Sequence, residues 1–199
     1  EEHTVTPREI SSSNIDITLR GLEAIREQGK GLMHFVESFR RLTSIPKPEM
    51  RQFSIMQLFN RVEVLIEPLE KSPGISVEFN RQLPDIKINA DENLVSQVLI
   101  NLIKNAVEAN ENNPKASIRI SAGISDDKSP EICVSDNGPG IREENIENIF
   151  VPFFTTREKG SGIGLSLSRQ IMGLHGGSLT VRSVPGKETI FCMKFRSRQ

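Results

Sequence analysis

The sequence predicts an α+β protein, a two-layer sandwich with a mixed sheet of five or more strands and about three helices, preceded by one long helix. Three observations carry this. Residues 14–45 repeat apolar side chains in steps of three and four. After Pro46-Lys47-Pro48, short segments of period two alternate with segments of period 3.6. Apolar residues make up 36% and charged residues 26% of 199 residues, enough to build a core without disulfide or metal staples.

The polar stretch 1–13 reads as a linker. In the long helix Ile15, Thr18, Leu22, Ile25, Gly29, Leu32, Val36, Phe39 and Thr43 form a heptad seam. Ser13 and Asp16 have the spacing of a capping box, and the Pro46–Pro48 cluster stops the helix. The chain offers that seam no second helix, so its partner is expected upstream or in another molecule. Ser54 can cap a helix over 55–70, with Ile55, Leu58, Val62, Leu65, Ile66 and Leu69 on its apolar face. Period two predicts strands over 75–79 and 85–89. A strong helix over 92–110 follows, then strands over 117–124 and 131–136. The Gly-rich stretch from Asp136 to Gly162 reads as irregular. The chain ends with a helix over 163–174, a turn at Gly176-Gly177, and strands over 178–183 and 189–196. Two units are expected, 1–50 and 51–199.

Composition excludes several classes. With 25 Lys+Arg against 26 Asp+Glu the net charge is −1, so no overall positive field draws in nucleic acid or anionic membrane. No run reaches the ~18 apolar residues of a membrane helix, and no signal-peptide pattern opens the chain. A cytoplasmic chain is expected. Cys133 and Cys192 lie far apart without metal spacing, so neither a disulfide scaffold nor a zinc module is expected.

Three constellations carry chemistry. Asn101 and Asn105 stand one helical turn apart at the edge of an apolar face, and amide oxygens suit a hard cation such as Mg²⁺. Asp136-Asn-Gly-Pro-Gly140 follows an apolar strand. This is turn chemistry, yet an acidic residue beside glycines also fits recognition of a base-edge amino group. Gly160-Ser-Gly-Ile-Gly164 runs into a helix and offers N–H groups to an anion. It matches neither the dinucleotide fingerprint nor the Walker pattern.

In this order, Asn101–Ala109, Asp136–Gly140, Phe150–Arg157 and Gly160–Leu165 resemble the N, G1, F and G2 boxes of sensor histidine kinases. Those kinases share an ATPase superfamily with gyrase, the heat-shock chaperones and mismatch-repair ATPases. The similarity covers roughly residues 53–196, while the 14–45 helix resembles the second helix of a dimerisation hairpin, and the nitrogen-regulation branch is close in flavour. The resemblance implies a Bergerat-type ATP-binding fold, ATP and Mg²⁺ as cofactors, and a two-component phosphoprotein. Its partners would be the upstream phosphoacceptor helix and a response-regulator receiver domain. It implies a homodimer for the full-length protein, with any membrane anchor upstream.

By the same resemblance Asn105 ligates Mg²⁺, Asn101 lines the phosphate end and Asp136 accepts from the adenine amino group. Gly138 and Gly140 shape the pocket, and Gly160, Gly162 and Gly164 hold phosphates on a lid spanning 141–162. Phe153 and Phe154 anchor that lid, Arg157 meets the γ-phosphate, and Thr189 lies near adenine, with Glu188 where the family has Gly. Lys104 is expected at the surface. Hydrolytic relatives carry Glu at the place of Asn101 as the base for water. Asn cannot take that proton, which favours a kinase. A hydrolysing relative and a non-catalytic ATP-binding module are the alternatives. His3, His34 and His175 each have a structural explanation better than phosphoacceptor, so the acceptor helix is expected outside this chain.

Overall fold

A computed structural model describes residues 12–70, 74–81, 86–157 and 160–196, with the side chains of 12–14, 34, 38, 41 and 68–70 left out. His3, Asp85 and the 1–11 stretch lie outside the described residues, as does the His34 side chain. The chain divides into two units, Glu1–Thr43 and Ser44–Gln199.

The first unit holds helix α1, Ser12–Thr43. At about 1.5 Å per residue its 32 residues span about 48 Å. The seam side chains Leu22, Ile25, Leu32, Val36 and Phe39 are all exposed. Ser13 lies inside the helix, one residue past its start, and so is not the cap the spacing suggested. Asp16 instead pairs with Arg20 at 3.3 Å, the i,i+4 partner on the same face. Gly21, Gly29 and Gly31 have no atom within 4 Å of where a Cβ would stand.

The second unit begins with strand β1, Arg51–Ser54, and helix α2, Ile55–Glu70. Ser54 Oγ accepts from Met56 N at 3.1 Å while Gln57 Oε1 accepts from Ser54 N at 3.2 Å, a reciprocal cap. Leu65 does not join the buried face of α2: it is 52% exposed, whereas Leu58, Val62 and Ile66 are fully buried. Strand β2, Ile75–Phe79, is followed by β3, Lys87–Ala90, and by helix α3, Glu92–Ala109. Strands β4, Ala116–Ile124, and β5, Pro130–Asp136, come next, then a one-turn helix α4, Glu143–Ile146, in the stretch expected to be irregular. Helix α5, Gly164–Leu174, and strands β6, Ser178–Val184, and β7, Glu188–Lys194, complete the order.

Five strands form one mixed sheet in the order β2-β4-β5-β7-β6, with β2–β4 parallel and the other pairs antiparallel. The strand expected over 85–89 is not in this sheet; β3 pairs with β1 in a separate two-stranded ribbon. Alternation puts Ile118, Ile120, Ile132, Val134, Phe191 and Met193 on one face, buried with Leu99, Leu102 and Ile103 of α3. Each such side chain contributes about 1.5–3 kcal/mol before the cost of ordering it.

The opposite face of the sheet corrects the reading of the cysteines. Cys133 on β5 stands opposite Cys192 on β7, and the two are joined in a disulfide with Cα atoms 4.1 Å apart. Antiparallel pairing removes their 59-residue separation, which spacing along the chain cannot reveal.

Candidate nucleotide site

Helix α3 starts at Asp91, whose side chain accepts from Asn93 N and Leu94 N and from Glu49 N. Burial pushes the Asp91 carboxyl up, but these hydrogen bonds and nearby His175 outweigh it and hold it below the usual carboxylate value. His175 is buried; its Nε2 accepts from Asp91 N at 3.0 Å and its Nδ1 lies 2.8 Å from the Ile171 carbonyl. It is a bridge between α5 and the start of α3.

With its start fixed, α3 presents Asn101 and Asn105 on one edge, both half-buried. The Asn101 amide donates to Ser168 Oγ at 3.0 Å, tying α3 to α5. Its Oδ1 lies where a Cβ on Gly164 would stand, so any larger residue at the start of α5 would displace the Asn101 amide. Lys104 is exposed and lies 3.7 Å from Glu108. The α5 N-cap, Ile163, makes no side-chain cap hydrogen bond. Its first-turn N–H groups are the kind of donors that hold an anion.

Asp136 ends β5 and is buried. Its Oδ1 accepts from Gly138 N at 2.9 Å and from the Asn110 amide at 3.2 Å. Burial pushes the Asp136 carboxyl above its ordinary value, against those hydrogen bonds and the charge of Arg157. Thr189 lies opposite Asp136 in the β5–β7 register and is also buried. Ser183 Oγ lies 3.1 Å from Thr189 Oγ1, donates to the Glu188 carbonyl and accepts from Ile141 N.

Gly140 has φ +69°, and a Cβ there would stand 2.5 Å from the Val184 carbonyl oxygen, so the loop can lie against the β6–β7 hairpin only with glycine. Gly186 N donates to the Pro139 carbonyl at 2.7 Å on the same contact. The turn before β7 is made by Gly186, with φ +76°, which lets Glu188 serve as a strand residue. Gly162 has φ +68° and its carbonyl accepts from Phe153 N at 2.9 Å, while Gly160 N donates to the Arg157 carbonyl at 3.3 Å.

Arg157 is committed within the chain. It is ion-paired to Glu108 and donates to the Asn105 main-chain carbonyl at 2.9 Å. Asn105 thus meets the lid through its backbone, and no hydrogen bond engages its side-chain amide among the described residues. The structure therefore brings Asn101, Asn105, Arg157 and Gly164 together on one side of α3. Asp136, Gly138, Gly140 and Thr189 gather beyond its C-terminal end.

Residues 90–199 match the family model described as histidine kinase-, DNA gyrase B-, and HSP90-like ATPase. The chain belongs to this family. Sporulation kinase A of Bacillus subtilis (strain 168) is 35% identical over 158 residues, covering 77% of this chain and 26% of that protein. The solved catalytic domain of histidine kinase ThkA has a TM-score of 0.65 at 33% identity, covering 74% of this chain and 95% of that one. Histidine kinase ThkA in complex with response regulator protein TrrA has a TM-score of 0.69 at 27% identity, covering 98% of this chain and 53% of that one. The chain spans about a quarter to a third of the length of the curated relatives it matches.

Phe150 packs on the core, edge-on to Phe191 at 6.4 Å with Arg169 stacked 5.0 Å from its centre, whereas Phe153 is 39% exposed. Asn110 is the residue sequence reasoning missed. It is fully buried, donates to the Ala106 carbonyl and to Asp136, and accepts from the Asn113 amide. Its one signal was a polar residue in register with the buried face, i+4 from Ala106.

Proposed function

We propose that this chain is the ATP- and Mg²⁺-binding catalytic region of a cytoplasmic two-component sensor histidine kinase. It transfers the ATP γ-phosphate to a histidine on a dimerisation hairpin of a homodimer, from which a response-regulator aspartate takes it. The observation that carries this reading is at position 101. There an amide, itself donating to Ser168, stands where a hydrolase needs a carboxylate base for water.

The donor set fits a magnesium nucleotide. The Asn105 side-chain amide is uncommitted, and a neutral oxygen suits a cation that keeps most of its waters. Mg²⁺ would supply charge neutralisation between phosphates. Asn105 would hold the ion and Asn101 would fix the phosphate end against α5. The backbone N–H groups at Gly162 and Gly164 would donate to phosphate oxygens, joined by that of Gly160 once it leaves the Arg157 carbonyl. Asp136 would accept from the adenine amino group, with Gly138 and Gly140 shaping the pocket and Thr189 beside it. Arg157 would move from Glu108 to the γ-phosphate, where placement and charge matter more than proton transfer.

The test is to incubate the chain with γ-labelled ATP and Mg²⁺, alone and with a helix carrying a phosphoacceptor His-Glu pair. Tight binding without phosphate release, and acid-labile, base-stable label on the added helix, are expected. Rapid release of inorganic phosphate would make the chain a hydrolase. Label on His34 would make α1 the acceptor helix.

A further inference from the structure

Cys133 and Cys192 stand opposite each other on β5 and β7, on the face of the sheet turned away from α2, α3 and α5. Their neighbours Ile132, Val134, Phe191 and Met193 point into the core and are buried, while both cysteines are half-buried. Neither cysteine is sealed in the core. Three features suit them to reversible chemistry. The backbone ladder already holds the two strands side by side, so opening the bond leaves the two thiols adjacent. The core on the other face is complete without it, so the fold does not depend on this staple. The bond joins residues already paired, so both redox forms are compatible with the same sheet.

We propose that Cys133 and Cys192 form a reversible thiol–disulfide site that exchanges with low-molecular-weight disulfides such as oxidised glutathione. One cysteine thiolate attacks a sulfur of the external disulfide, whose S–S bond breaks and releases one glutathione thiol. The second cysteine then attacks the protein sulfur of the mixed disulfide. The Cys133–Cys192 bond forms and the second glutathione leaves. Two protein thiols are oxidised, one external disulfide is reduced, and the two thiol protons end on the two glutathiones. The resolving cysteine is the cross-strand neighbour, so the mixed disulfide is short-lived.

The same atoms have a rival use. The Glu131 carboxylate and both sulfurs lie within 4.8 Å of one another, a set that could hold a thiophilic cation once the bond is open. The experiment separates the two. The folded chain is equilibrated in buffers of graded reduced-to-oxidised glutathione ratio, trapped with an alkylating agent and weighed intact. Wild type is expected to pass in one two-electron step from two alkylated thiols to none, with little glutathione adduct. Cys133→Ser and Cys192→Ser should each stop at a stable glutathione adduct. Native circular dichroism should be retained throughout. Thiols that stay reduced across the series, or that oxidise only in denaturant, would overturn the proposal. So would a reduced chain that takes up stoichiometric Zn²⁺ and is then inert to oxidised glutathione.

Discussion

Arg157 reaches from the lid to α3, where the Glu108 carboxylate and the Asn105 carbonyl, less than one turn apart, both receive its guanidinium. The cation proposed for the γ-phosphate is thus held a short distance along the same helix. Glu108→Gln keeps the side-chain shape and removes the competing charge. The pair is about one-third exposed, and such pairs contribute about 0.2–1 kcal/mol. Affinity for a non-hydrolysable ATP analogue should therefore rise by about 1.4- to fivefold, measured by calorimetry. A weaker affinity in the variant would mean that Glu108 helps to bind nucleotide.

Asp136→Asn should lower ATP affinity by roughly one to two decades, because an amide facing the adenine amino group loses the acceptor and adds a competing donor. The fold should survive, since Asn retains an oxygen for Gly138 N and Asn110. The raised pKa fixes the sign of the pH dependence. For the wild type, ATP binding should weaken as pH falls towards the Asp136 pKa, above the range where an ordinary carboxylate of about 3.9 titrates. The variant should be flat there. Linkage runs the other way for stability: a raised carboxyl favours the fold at low pH, and that contribution is lost as pH rises through the folded pKa. At neutral pH the melting temperature of the variant should match or exceed that of wild type. A lower one would mark Asp136 as structural.

Asn110→Ala should destabilise the second unit by about 1–3 kcal/mol, since it strips partners from Asp136 and from the Asn113 amide. Denaturant titration gives the value. Asn113→Ala, at a half-buried position, should cost less. Equal costs would remove Asn110 from its central place.

His175→Ala should also destabilise by about 1–3 kcal/mol, by leaving the buried Asp91 N–H without an acceptor. Phosphate transfer to an added acceptor helix should persist in the folded fraction. Loss of label with an unchanged melt would instead point to His175 as a phosphoacceptor.

The elements with strong periodicity were legible. The apolar run of α3 from Leu94 to Val107 and the alternation of Ile75 to Phe79 specify helix and strand by themselves. Strand β1 was not, because Arg51–Ser54 has too few residues for a period and is a strand only through pairing with β3. Within the site, the motifs on α3 and at the ends of β5 and α5 were readable. Arg157's attachment to Glu108 was not, for it joins residues 49 apart through a lid path that local pattern does not encode. Asn110 was hidden for another reason. At the end of a helix an asparagine usually reads as a solvated cap, and only the return of the chain at Asp136 buries it.

Three glycines in the body of α1 make its helicity a gauge of company. Gly21, Gly29 and Gly31 fill no tight space, and each costs about 1 kcal/mol of helix relative to alanine. A lone helix of this kind is marginal in water, because its apolar seam contributes only when something covers it. Ellipticity from this segment should therefore climb with protein concentration, whereas the signal from the sheet unit stays fixed. Alanine at the three positions should flatten that concentration dependence.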